Sequence, residues 1–157
     1  MSDLYLKITD IDGESTDQGE PGAIDVLSFS WAVTQSGSAA QGGSSSAGKS
    51  SFADFVFVKR LDKATPKLMV ACASGEPIKE AVLTATISGE ERRTLYEIHF
   101  SDIVISSFQQ SGSSADASAQ EDVGISYATI EVTYKPPDGS APVTMGWDVV
   151  KNKQFSG

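Results

Sequence analysis

Alternating apolar and polar side chains run along most of this chain, and the clearest example lies in residues 24–34. Its apolar positions hold Leu27, Phe29, Trp31 and Val33. Its polar positions hold only small side chains, Ser28, Ser30, Ala32 and Thr34. A period of two predicts a strand with one buried and one exposed face. We therefore expect the four larger residues in the core, and a small, mostly hydroxyl face outside it.

The same reasoning predicts further strands over residues 4–9, 52–58, 78–88, 92–108, 124–135 and 143–149. The segment 52–58 is so apolar that we expect it to be buried on both sides. Strands 78–88 and 92–108 form a hairpin through the turn at 89–91. The pattern changes after Asp102, where Ile103-Val104-Ile105 predicts a bulge or a deeper environment.

One helix is predicted, over residues 65–75. Thr65 suits the N-cap, Pro66 the first helical position, and Gly75 the left-handed position after the helix. Cys72, the single cysteine of the chain, is expected on the core face rather than as a nucleophile. A single cysteine also excludes an intramolecular disulfide.

Two segments read as loops, residues 35–51 and 109–122, both rich in small and polar residues. A flexible linker between domains is one interpretation of the first. We favour a long loop that contacts a partner, because the strands on both sides of it belong to one sheet system. The acidic segment 10–22 fails the spacing of a calcium loop and is expected to be a solvated turn.

Charge and composition narrow the possible functions. The formal net charge of −9 argues against a nucleic-acid partner, which would need clustered lysine and arginine. His99, the single histidine, lies beside Glu97, and a structural role is favoured over a general base. The chain lacks the cysteines and histidines of a zinc site and a glycine-rich phosphate loop. We expect a non-enzyme without cofactor or metal, no membrane span, and no secretory signal.

Many short segments then fit one family in their order and spacing. They include Tyr5-Leu6-Lys7-Ile8, Ser28-Phe29-Ser30-Trp31, Phe55-Val56-Phe57-Val58-Lys59, Leu61-Asp62-Lys63-Ala64-Thr65-Pro66-Lys67-Leu68, Asp102-Ile103-Val104-Ile105-Ser106-Ser107 and Gly146-Trp147-Asp148. Over essentially its whole length, the chain resembles the haemolysin-coregulated protein (Hcp) family, the tube subunits of bacterial type VI secretion systems. Ala64 departs from the family, which commonly has serine there.

The resemblance implies a mainly β fold, a two-sheet barrel or sandwich like phage tail tubes, with one helix packed alongside and a long Gly/Ser loop. It implies one domain over residues 1–157, with no room for an appended toxin domain. Six copies would form a ring, and rings would stack into a hollow tube. The implied partners are a spike (valine-glycine repeat) protein, a contractile sheath, a baseplate and small effectors. The protein would start in the bacterial cytoplasm and be secreted without a signal peptide.

Two surfaces follow as expectations. The small face, Ser28, Ser30, Ala32 and Thr34, would line the lumen and contact cargo. The loop residues Gly42, Gly43, Ser44, Ser45, Ser46, Gly48 and Lys49 would contact the next ring. Two other classes remain open. A monomeric β-sandwich that binds a ligand would use the aromatic strands, although their alternation is more typical of a core. A small esterase would use one serine with His99.

Overall fold

The computed structural model describes residues 2–37, 48–88 and 91–155. This part of the chain holds eleven strands and one helix: β1 (Ser2–Ile8), β2 (Ile24–Val26), β3 (Ser28–Ser30), β4 (Val33–Gln35), β5 (Ser50–Phe52), β6 (Phe55–Arg60), α1 (Thr65–Ser74), β7 (Ile78–Ile87), β8 (Arg93–Ser113), β9 (Asp116–Tyr134), β10 (Val143–Asp148) and β11 (Lys153–Phe155). The mainly β fold with two sheets and one helix is confirmed.

All pairings between the strands are antiparallel. A nine-stranded sheet runs in the order β11-β10-β9-β8-β7-β1-β2, while β6 pairs with the first half of β9 and β3 pairs with β6. Strands β4 and β5 form a separate two-stranded arm. The large sheet is not closed by a ladder between β2 and β3. Instead the chain passes directly from one to the other, and Leu27 N–H donates to Val58 O at 2.7 Å.

The core lies inside this curved sheet and follows the alternation of the strands. One row across the sheet joins Leu6, Leu83 and Ile98, all fully buried. Aromatic rings fill the centre, where Phe55 and Phe100 lie 4.7 Å apart between centroids. Burying such apolar surface supplies most of the stabilisation of a domain of this size.

The segment 24–34 is three short strands rather than one, because each piece pairs with a different partner. Strand β2 pairs with β1, β3 with β6, and β4 with β5. The prediction of a common core face is therefore wrong for Leu27 and Val33, which are 50% and 49% exposed. Phe29 and Trp31 are half-buried and pack against the core. Ile24, which the predicted core face did not include, is fully buried.

The segment 109–122 is not a loop. Strands β8 and β9 continue through it as a two-stranded ribbon, with Ser113 paired to Asp116 across a tight turn. The predicted change of environment after Asp102 is confirmed. Asp102 has a positive φ of 51°, the buried residues change side from Phe100 to Ile103, and the register between β8 and β9 shifts after Ile105. A positive φ at one residue re-aims a strand and so bends the sheet.

Two smaller predictions need correction. Residues 55–60 bury only alternate side chains, so this strand is not buried on both sides in the single subunit. The helix N-cap is Ala64 in helical geometry, not Thr65; the carboxylate of Asp62 accepts from Ala64 N–H at 2.9 Å instead. Gly75 does adopt the left-handed conformation, with a φ of 66°. The predicted turn at 89–91 lies mostly outside the described residues.

Candidate assembly surfaces

Strand β3 belongs to a four-stranded layer made of β3, β6, the first half of β9 and the second half of β8. Two rows of outward side chains cross this layer by direct pairing. One row is Ser30, Val56, Gly124 and Ser107; the other is Ser28, Val58, Asp122 and Gln109. We call these eight residues the smooth face. Seven of them carry no charge, and Asp122 is the exception, so the face is mostly small and uncharged.

The four lumen residues predicted from the sequence are all exposed, but they do not share one strand. Ser28 and Ser30 lie on the smooth face. Ala32 lies in the connection after it, where its carbonyl accepts from Ala53 N–H at 2.9 Å. Thr34 lies in the arm, paired with Ser51. The structure therefore brings two of the four together and separates the others.

Gly124 leaves one position of the smooth face without a side chain. A Cβ placed there would lie 2.4 Å from Ser107 Oγ and 3.0 Å from Ser106 Oγ. A larger residue at position 124 would therefore force the side chains of Ser106 and Ser107 to move. Sequence reasoning missed Gln109 because residues 109–122 were read as a loop. It missed Ser107 and Gly124, which lie in the predicted strands 92–108 and 124–135, because the pairing of these strands was unknown.

The four-stranded layer that carries the smooth face, called the smooth layer below, has no strand paired to either of its edges within the described part of the chain. Strand β3 pairs with β6 on one side and with no strand on the other. Strand β8 pairs with β7 through Ile103 and continues to Ser113 with β9 as its one partner. Free edges expose backbone donors and acceptors that another strand can satisfy. Each of these two edges therefore leaves backbone groups without a strand partner among the described residues.

The arm carries the flanks of the predicted ring–ring loop. Gly48 packs against Ser36, and Ser36 Oγ donates to Lys49 O at 3.3 Å. Ser50 Oγ donates to Asn152 Oδ1 at 2.9 Å and so ties the arm to the turn between β10 and β11. The other predicted loop residues, Gly42, Gly43, Ser44, Ser45 and Ser46, lie outside the described residues.

A buried ion pair fixes the helix to the smooth layer. Lys59 Nζ lies 2.6 Å from Glu121 Oε1, and both side chains are fully buried. The ammonium also contacts Asp62 Oδ1 at 2.8 Å, and Thr65 Oγ1 donates to Glu121 Oε2 at 2.8 Å. Every strong donor and acceptor of the pair is thus satisfied, as buried charges require. The sequence carried one signal for this buried pair. Lys59 lies two residues after Phe57 and therefore on the same, inward face of the strand.

His99 forms part of a surface ion cluster. Its Nε2 lies 3.1 Å from Glu97 Oε2, and Lys135 Nζ donates to Glu97 Oε1 at 2.7 Å. Burial alone would raise the pKa of Glu97, but the hydrogen bonds from Lys135 and His99 outweigh it and hold that pKa below its ordinary value. The contact between His99 and Glu97 runs along β8, whereas the contact of Lys135 with Glu97 links β8 to the residue that follows β9.

A metal site and a membrane-spanning helix each have requirements that the described residues do not meet. No three His, Cys, Asp or Glu side chains there stand close enough to hold a metal ion. No helix there is long and apolar enough to cross a membrane.

Comparisons with known proteins agree with this architecture. The family model for the type VI secretion system effector Hcp matches residues 5–134. The Protein hcp1 of Pseudomonas aeruginosa is 39% identical, over 97% of this chain and 98% of its own length. The crystal structure of Hcp1 from Salmonella typhimurium is 31% identical and superposes with a TM-score of 0.83 over 98% of this chain and 99% of that one. A solved type six secretion system protein, 25% identical, reaches 0.90 over 99% of this chain and 100% of that one.

Proposed function

Because the chain belongs to the Hcp family of type VI secretion proteins, we propose that it is a structural subunit of the secretion tube. Six copies associate side by side into a ring, and rings stack into a hollow tube that leaves the bacterial cell. The tube would meet a spike protein at its tip, and a contractile sheath and a baseplate around it. The protein acts by assembly rather than by catalysis.

The observation that carries this proposal is the smooth layer with its two different free edges. The β3 edge is short, whereas the β8 edge extends over the ribbon, so one edge is not a copy of the other. A contact between unlike surfaces is heterologous, and repeated heterologous contacts either close into a ring or continue as a filament. Lateral pairing of the β3 edge of one copy with the β8 edge of the next satisfies both edges at once.

In such a ring the smooth face lines the channel. Small hydroxyl, amide and glycine positions leave room for a passing or docked effector and offer hydrogen bonds, and Asp122 is the one charged position of the face. Ser28 and Ser30 are the residues of this face with exposed hydroxyl groups nearest the β3 edge. The carrier role for small effectors follows from this placement and from the family.

The arm supports the proposed contact between rings. Its ladder brings Gln35 opposite Ser50, so residues 37 and 48, which flank the segment 38–47, lie close together. Gly48 and Lys49 therefore lie beside Ser36 at the end of the arm, and contact with the next ring is proposed for them and for Gly42 to Ser46.

Native mass spectrometry of the purified protein tests the proposal. We expect a hexamer, or multiples of six, over a range of concentrations. A monomer at every concentration would contradict tube formation and would favour the ligand-binding module instead.

A further inference from the structure

The core-facing side of the sheet extends beyond the core. The buried row of Leu6, Leu83 and Ile98 continues through Val132 to Met145, which is 55% exposed. The next row ends in the same way at Tyr134 and Val143, 44% and 59% exposed. We call these four residues, Val132, Tyr134, Val143 and Met145, the apolar ledge.

The apolar ledge borders a shallow groove of about 260 Å³. Its walls include Trp31 and Phe52, and its floor includes Trp147, whose indole N–H is buried without a hydrogen-bond partner. A groove of this size takes one or two aliphatic side chains. Large exposed apolar surfaces of this kind are typical of interaction sites.

A second apolar surface lies on the helix. Leu68 and Ala71 bury one side of α1, while Met69 and Val70 on another side are more than half exposed. We call Met69 and Val70 the helix patch. Methionine adapts its shape to irregular apolar grooves, which suits it to a contact of this type.

Each of the two apolar surfaces lies near one free edge of the smooth layer. Trp31 of the groove directly follows β3, the first free edge. The helix begins at Thr65, whose hydroxyl shares Glu121 with Gln110 of β8, the second free edge. The apolar ledge pairs with the first half of β8 through Tyr96, so the ledge and the helix lie toward opposite ends of that strand.

We propose that the apolar ledge of one copy packs against the helix patch of the next copy around the ring. This inference rests on the proposed function and assigns its lateral contact. When the β3 edge of one subunit meets the β8 edge of its neighbour, the ledge meets the helix patch at the same seam. Both apolar surfaces are then covered by a second copy of this chain, which explains why neither is covered within one subunit.

Cysteine cross-linking tests the contact. In a Cys72→Ala background, the double variant Met145→Cys with Met69→Cys is oxidised mildly and analysed without reductant. We expect a ladder of covalent oligomers up to the hexamer, because each subunit offers one cysteine to each neighbour. Either single variant is expected to stay monomeric under the same denaturing conditions, because a heterologous seam never brings two identical positions together.

The possible results distinguish a failure of the proposed ledge–helix contact from a failure of ring formation. A hexamer in native mass spectrometry that yields no cross-link would overturn the assigned contact and leave the tube proposal intact. Covalent dimers of the single Met145→Cys variant would overturn it too, since they show ledge against ledge. If a substitution prevents hexamers, the second pair, Val143→Cys with Val70→Cys, decides by the same criterion. Wild-type protein that is monomeric throughout would instead defeat the proposed function.

Discussion

Ser30 is the residue at which the proposed channel is most easily narrowed. Its hydroxyl is exposed on the smooth face, next to Val56 and one row from Ser28. In a six-fold ring, every substitution at this position appears six times around the channel. A longer side chain would therefore fill the lumen without touching the core.

We expect Ser30→Gln to reduce retention of a small effector of the same secretion system in a pull-down, while the subunit still assembles. The matched control is Ser140→Gln, at an exposed serine of the turn between β9 and β10. Equal retention by Ser30→Gln and wild-type protein would remove the cargo role from this face.

The Lys59–Glu121 pair is the residue-scale contact with the largest expected effect on stability. Glu121→Ala leaves the buried Lys59 ammonium with Asp62 as its remaining carboxylate contact, so the loss of unfolding free energy should approach the value of about 3–5 kcal/mol for a broken buried pair. The control is Asp116→Ala, which removes the exposed Arg60–Asp116 pair and should cost about 1 kcal/mol or less. Urea denaturation of the two variants measures both. A similar, small loss in both would contradict the structural role of the pair.

Glu97 should make stability depend on acid pH. Its pKa in the folded protein lies below its ordinary value of 4.5, so the ionised form stabilises the fold above that value. This contribution is lost as the pH falls through the folded pKa. Glu97→Gln should therefore lose less stability than wild type between about pH 5 and about pH 3 in urea denaturation. Glu76→Gln, at an exposed position, serves as control, and identical losses in all three proteins would refute the assignment.

At the scale of elements, the sequence was most informative where one strand keeps one environment. In the first half of β8, Ile98 and Phe100 are buried on one face as the alternation predicted. Strand β7 lies where it was predicted, but its burial does not alternate simply, because Leu83 and Thr84 are both buried. The pattern failed where a strand changes partners, as at Leu27, because a local sequence does not encode which strand will lie beside it. It failed again in the ribbon at residues 109–122, where small polar residues pair across β8 and β9 without any apolar face.

The same limit applies to the candidate surfaces. Ser28 and Ser30 were found from their own alternation, whereas Gly124 and Ser107 belong to the face through pairing of distant segments. The apolar ledge was not predicted either. Val143 and Met145 alternate like core residues, and only the shape of the sheet shows that they extend past the core.

The arm gives a prediction at this scale. Deleting residues 42–48 should leave the subunit folded, because the pairing of β4 with β5 and the core lie outside the deletion. We expect rings to form but to stack poorly, since the proposed contact with the next ring is removed. Electron microscopy compares tube length in the deletion variant and in a variant with residues 42–48 replaced by seven residues of glycine and serine. Tubes of unchanged length in the deletion variant would contradict a stacking role for this segment.

At the scale of the whole molecule, several surfaces of a single subunit have no partner among its described residues. Two strand edges, the apolar ledge and the helix patch are all left open in one copy, yet its core side chains are buried and the buried charges of Lys59 and Glu121 are paired. Each open surface differs from the one it would meet. A single contact type, repeated around a ring, is enough to cover all of them.

A cryo-electron microscopy reconstruction of the assembled protein shows whether the smooth face lines a channel. We predict a six-fold ring or stacked rings in which Ser28, Ser30 and the rest of the smooth face surround an open channel, with the β3 edge of each subunit beside the β8 edge of its neighbour. A ring with the smooth face on its outer surface, or particles that are single subunits only, would contradict it.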